Sequence, residues 1–304
     1  PETASYTVEY IFLDENGNKV EEDTSSWTSD DDIFPKGGSE KVGTEVIIYP
    51  LKSVTVNNTD HYILVEDDYS CTISKDGPNT ITVTYALDNW TDDDDTDSET
   101  GGDGTPDKYQ ALVKFVSANN QQGTVTGTGA TQVFTLKDST GAYTESGSIT
   151  PVDDNVTVTA STGYAFDIWT EGTAGTTAVN PFTSRTVNGG DEITFYANFA
   201  EDKIGGKDPD GGDGIPDKYQ ATVTYKVVGG TWSDGSSDDI TEVFTLKTKN
   251  ETTGQWEDKT PATTLGNTIP IGMRADDEHV DDSGKWDQEI SESTLVTEDV
   301  TYTY

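Results

Sequence analysis

The chain has 304 residues, a length that accommodates two or three domains. Against 57 Asp and Glu it carries 18 Lys and Arg, a formal net charge of −39. That balance excludes the basic patches needed to displace counterions from nucleic acid or to dock on anionic lipid. It leaves positive partners open, calcium first among them, although an exposed protein also uses such charge simply to stay soluble.

Only 31% of the residues are hydrophobic, so each core must be thin and Tyr and Trp must supply much of its bulk. In chain order, Tyr6, Val8, Tyr10 and Phe12 alternate with polar residues, the period of a strand with one buried face. Asp14-Glu15-Asn16-Gly17-Asn18 then signals a hairpin, because Asn-Gly supplies positive φ. Val46–Leu51 is a continuous apolar run that predicts a core strand, Lys75–Pro78 a turn, and Ile81, Val83, Tyr85 and Leu87 a closing strand. Cys71 is the single cysteine, which excludes a disulfide within the chain and fits a buried strand position.

Residues 89–105 and 201–215 read as polar, Gly-rich linkers; the first contains Asp92-Asp93-Asp94-Asp95, and charge repulsion alone would extend them. Gly101–Ala111 (GGDGTPDKYQA) recurs as Gly211–Ala221 (GGDGIPDKYQA), and Val133–Lys137 (VFTLK) recurs as Val243–Lys247 at the same offset. Two matches in one register define a repeated module. PDKYQ predicts a single helical turn with Pro in its first position. Alternation resumes at Val156, Val158 and Ala160, at Ile193, Phe195, Ala197 and Phe199, and at Val223, Tyr225 and Val227. No segment keeps a helical period, so the fold class is all-β to β-rich. Three small modules stand in tandem, at 1–88, 106–200 and 216–304.

With those residues in view, the first module resembles a mucin-binding-protein (MucBP-type) repeat. The resemblance rests on YTVEYIFLDENGNKV, KVGTEVIIYP and NTITVTYAL, within residues 5–87. In the second module, GYAFDIW (Gly163–Trp169) followed by ITFYANF (Ile193–Phe199) resembles the Listeria–Bacteroides (internalin B-type) repeat; the third keeps Trp286 but no such Gly-Tyr. These resemblances imply small β-grasp (ubiquitin-like) or sandwich-like folds. They also imply an exported Gram-positive cell-surface protein, with host mucin or glycan as partner. We expect its signal peptide and wall anchor outside this sequence, and the chain itself to be a monomeric, elongated fragment.

The candidate metal ligands lie in the linkers. Asp208, Asp210, Asp213 and Asp217, with the carbonyl of Ile215, approximate the alternating oxygen spacing of calcium loops; Asp95, Asp97, Asp103 and Asp107 offer a looser set. Enzyme chemistry has little support. His61 and His279 are the only histidines, neither with metal-site spacing, and there is no G-x-S-x-G elbow. Trp27, Trp90, Trp232 and Trp256 lie in polar, turn-like stretches where they would suit sugar stacking, whereas Trp169 and Trp286 read as core. Lys114 and Asn198 are the one pair placed for an isopeptide staple. The sequence therefore favours a non-catalytic stalk or adhesin segment with calcium-stiffened joints; the alternative is a glycan- or mucin-binding module.

Overall fold

The structure, a computed structural model, describes residues 2–22, 34–66, 68–91, 102–206, 211–280 and 284–304. Contacts divide the chain into two compact units. One comprises residues 1–114, 131–153 and 182–193, the other residues 115–130, 154–181 and 194–304. Among the described residues every regular element is a strand or a short 3-10 turn, so the chain is β-rich as its alternation predicts.

In the first unit the strand Thr3–Leu13 runs parallel to Thr80–Leu87, with Thr7 opposite Thr80 and Leu13 opposite Ala86. Parallel neighbours cannot be joined by a tight turn, and here further hairpins fill the crossover. Ser53–Val56 and Asp60–Leu64 form one of them and extend the sheet through Thr80–Leu87. Its turn carries Asn57 and Asn58 at φ +53° and +62°, the left-handed pair that a type I′ hairpin requires. The turn at Asp14–Asn18 is as expected: Asp14 N donates to Asn18 O, and Gly17 sits at φ +77°.

The core of this sheet is aromatic. Phe12 stacks on Tyr85 at 5.6 Å and meets Tyr62 edge-on at 5.1 Å. Tyr85 is fully buried, and its hydroxyl donates to Leu51 O at 2.8 Å, which removes the penalty of burying it. The run Val46–Leu51 departs from expectation. Only Glu45–Ile47 is strand, paired with Ser70–Thr72, and the run alternates: Ile48 is buried while Tyr49 stands 87% exposed. A two-stranded ribbon has one covered face, so a continuous apolar run cannot be buried whole. Cys71 lies in the partner strand, half-buried against the core. Gln110–Ser117 pairs with Thr131–Thr135, and Ser146–Ile149 with Arg185–Asn188, in the same unit.

In the second unit Gln220–Lys226 is the centre of a three-stranded sheet, antiparallel to Ile240–Thr245 and parallel to Val300–Thr303. Val223 and Tyr225 are fully buried against Trp232, Leu265, Val296 and Tyr302. Tyr164–Glu171 pairs with Glu192–Glu201, and the register slips between Phe166 and Ile168. That bulge re-aims Asp167, which the second joint uses.

Candidate functional site

The most organised polar structure in the chain is a carboxylate latch that occurs twice, once in each unit, where the sequence predicted linkers. Asp88 directly follows the strand Thr80–Leu87; Asp202 directly follows Glu192–Glu201. The Asp88 carboxylate accepts Asp103 N and Gly104 N, both at 3.1 Å. The Asp202 carboxylate accepts Asp213 N at 3.0 Å and Gly214 N at 2.8 Å. In the reverse direction Asp107 accepts Asn89 N and Trp90 N at 3.1 Å, and Asp217 accepts Lys203 N at 2.9 Å and Ile204 N at 3.3 Å. The chain on either side of each linker is thus cross-tied by four N–H donors to two carboxylates.

A third aspartate completes each latch. Asp103 Oδ1 accepts Thr105 N at 2.8 Å while its Oδ2 accepts Gln110 Nε2 at 2.6 Å; Asp213 Oδ1 accepts Ile215 N at 2.9 Å and its Oδ2 Gln220 Nε2 at 2.8 Å. Gly-Asp-Gly has a steric reason within this network. A Cβ at Gly102 would lie 2.1 Å from Asp88 oxygens, and one at Gly212 2.9 Å from those of Asp202. Gly104 and Gly214 hold φ of +79° and +88°, open to glycine at least cost. PDKYQ forms the predicted turn, as the 3-10 turns Asp107–Tyr109 and Asp217–Tyr219.

Asp88, Asp107 and Gln110 are wholly buried. Burial pushes the Asp88 carboxyl up to about 7, against the pull of its two N–H donors and with help from the nearby charges of Asp103 and Asp107. Burial likewise pushes Asp107 up to about 6. Gln110 Oε1 and Gln220 Oε1 are buried without a hydrogen-bond partner, the same orphan in both copies.

The latch corrects the expectation of extended linkers. Hydrogen bonds to backbone bring the described ends of each linker together. At the second joint Gly206 N donates to Gly211 O at 2.7 Å, tightening the neck further. Of the residues singled out as metal ligands, Asp103, Asp107, Asp213 and Asp217 are brought together with the two latch aspartates, and Ile215 contributes its N–H to Asp213. Asp95, Asp97, Asp208 and Asp210 lie outside the described residues. Asp88 and Asp202 escaped the sequence reading because they stand out of register. Asp88 to Asp103 is 15 positions and Asp202 to Asp213 is 11, so a fixed offset misses them.

The second joint carries an additional clamp. Asp167, 4% exposed, accepts Lys218 Nζ at 2.5 Å and the Tyr219 hydroxyl at 2.9 Å, and its carbonyl accepts Lys249 Nζ at 2.7 Å and Trp256 Nε1 at 3.2 Å. Lys249 Nζ also lies 4.0 Å from the Phe166 ring centre, and Tyr219 stacks on Trp256 at 4.6 Å. Burial lowers the Lys249 pKa. Replacing Lys249 by Ala is expected to destabilise this unit by about 1 kcal/mol, through the lost hydrogen bond and cation–π contact. Chemical denaturation of the two proteins checks it, and an unchanged midpoint counts against the clamp. At the first joint the corresponding Lys108 and Tyr109 turn instead to Glu145 and Tyr143.

Other expectations are corrected by packing. Trp232 is 3% exposed and its Nε1 donates to Asp238 O at 2.7 Å, so it is core and no sugar platform. Trp256 is taken up by Tyr219, and Trp27 lies outside the described residues. Trp169 is buried, and Trp286 is half-buried against Tyr225, as read from sequence. The Lys114 amine pairs with Glu192 at 3.0 Å and the Asn198 amide donates to Thr170 Oγ1 at 3.0 Å, so neither is poised for a staple. His61 engages Thr55 and His279 engages Asp276.

No protein-family model matches the sequence, and no curated protein matches it either; the MucBP-type and internalin B-type resemblances thus have no family match behind them. Among solved structures the chain is similar to domains 3–4 of the Streptococcal High Identity Repeats in Tandem (SHIRT) from a cell surface protein. The identity is 16% and the TM-score 0.21, over 64% of this chain and 96% of that one. A superposition that loose carries no argument about this chain.

Proposed function

We propose that this chain is a non-catalytic stalk segment of an exported bacterial surface protein, in which latched joints hold successive β modules in register. One observation carries this reading: the same three-aspartate, one-glutamine network closes both joints. A sequence that only needed a spacer would not bury Asp88 and Asp107 completely, since burying a carboxylate is costly unless its acceptors are filled. The described carboxylates face backbone donors, so the joint gains order from the chain itself. Calcium at Asp208, Asp210, Asp213, Asp217 and the Ile215 carbonyl is the rival source of stiffness, which scattering separates from the latch.

The experiment is X-ray scattering of the full chain. Replacing residues 92–100 by Gly-Ser tracts of increasing length is expected to leave the maximum dimension unchanged, because the base of the loop is closed. Expansion with each added residue would show a plain spacer and sink the stalk reading. Profiles in calcium and in chelator are expected to superimpose for the carboxylate latch, whereas chelator-dependent expansion would assign the stiffness to metal.

A further inference from the structure

We propose that the first unit binds an extended, basic peptide along the free edge of the strand Glu45–Ile47, where the peptide adds a third strand to a two-stranded ribbon. The site stands apart from the latched joints and does not rest on the stalk reading. Glu45–Ile47 pairs with Ser70–Thr72 on one side, and no described strand pairs with the other. The hydrogen bonds fix which groups face which way. Ile48 N donates to Tyr69 O and Ile73 N to Thr44 O, at 3.0 and 2.8 Å. In an antiparallel pair, bonded residues alternate with residues turned outward. Glu45, Ile47 and Tyr49 therefore direct their N–H and C=O groups to the open edge. Among the described residues those groups meet no backbone or side-chain partner.

The side chains at the same positions suit a further strand. Val46 and Ile48 turn to the core, so Glu45, Ile47 and Tyr49 share the outer face. Their cross-strand neighbours there, Thr72 and Ser70, are small and polar and cover little of them. Ile47 is 49% exposed, Tyr49 87% and, two residues on, Leu51 44%. An open edge with apolar side chains at alternate positions is a template for another strand. Main-chain bonds hold such a strand, and contacts with its alternate side chains select it. Native edges are usually guarded by Lys, by Pro or by a bulge. Here neither Lys nor Pro stands at 47 or 49; Glu45 and Pro50 bound the open stretch.

Size and charge choose the occupant. Covering Ile47, Tyr49 and Leu51 removes roughly 400 Å² of this chain from water, half of the ~800 Å² that each partner gives up in a stable protein–protein interface. A patch of that size takes a single strand and does not hold a second copy. Two copies also repel each other, because each carries a net charge of −39. The same charge draws in a basic segment, and Glu45 at the end of the open stretch offers it a cross-strand ion pair. The peptide therefore carries apolar residues at alternate positions, to meet Ile47 and Tyr49, with Lys or Arg between them.

The test uses a short labelled peptide in which valine and lysine alternate, titrated with the full chain and read by fluorescence anisotropy. Saturable binding is expected. An isomer with its valines in one block and its lysines in another has the same charge and is expected to bind about fivefold more weakly or worse. A version with glutamate in place of lysine is expected to be weaker by about tenfold or more. Methylating the amides of one alternate set of peptide residues is expected to abolish binding and methylating the other set to spare it, since only one set faces the edge. In the protein, Ile47→Pro is expected to abolish binding with an unchanged melting curve, because its N–H faces the open edge, where Pro is tolerated. Should Ile47→Pro unfold the unit, Tyr49→Ser carries the test: Tyr49 is exposed, and its loss is expected to weaken binding several-fold. No saturation, equal binding of the block or glutamate peptide, loss with both methylated sets or with neither, or unchanged binding by Tyr49→Ser each overturns the proposal. So does sedimentation that shows the chain dimerising until Ile47→Pro is introduced, which would give the edge to a second copy.

Discussion

Asp202→Ala is expected to lower the unfolding free energy of the second unit by about 2–4 kcal/mol. Hydrogen bonds to a charged acceptor contribute about 1.5–3 kcal/mol each, and Asp202 accepts two, from Asp213 and Gly214. The full sum is not reached because Gly214 is exposed and water replaces part of what it loses. Asp202→Asn keeps one acceptor oxygen and turns an amide towards the other N–H, so about half the loss is expected. Denaturant unfolding followed by Trp fluorescence reads both. If Asp202→Ala unfolds at the wild-type midpoint, the latch contributes no stability and the linker is a spacer after all.

Stability of the first joint is expected to rise as the pH falls from 8 to 5. Burial, helped by Asp103 and Asp107, holds the Asp88 carboxyl near 7, above the ordinary 3.8. The folded state therefore binds this proton more tightly than the unfolded chain. The destabilisation is fully present above pH 7, fades as the pH falls through about 7, and is gone below about 4. Taken in full, three units correspond to about 4 kcal/mol; relaxation around the half-buried Asp103 leaves about 2 kcal/mol expected. Acid also relieves the general self-repulsion of a chain at −39, so the comparison must be with Asp88→Asn, which keeps that repulsion and lacks the proton. The variant's stability relative to wild type is expected to be greatest at pH 8, smaller at pH 5, and level below about pH 4. A difference that does not vary with pH counts against a buried, proton-linked Asp88.

The parts of this fold that were legible in sequence are those governed by local period and local turn chemistry. Tyr6 to Phe12 and Ile81 to Tyr85 alternate because one face is covered, and Asn16-Gly17 turns because glycine takes φ +77°. Val46–Leu51 misled because an apolar run says nothing of how many faces its ribbon has covered. Trp232 misled because its polar neighbours include Asp238, whose carbonyl is the partner that lets the indole be buried. Asp213, Asp217 and their counterparts were recognised as a paired set of oxygen donors. Their partners, Asp88 and Asp202, were invisible because a stretch of different length separates each from its repeat, 15 positions in one and 11 in the other. The signal was available in another form: both aspartates immediately follow the last strand of a module.

The closed base of each linker has a mechanical consequence. When the chain is pulled from its ends, tension passes across the hydrogen bonds of Asp88 and Asp107. Those bonds take load before the strands they join have to shear. The bonds reform when the load drops, because every donor and acceptor is still attached to the same short stretch of chain. Each joint is then a reversible fuse, with a release force set by the two aspartates.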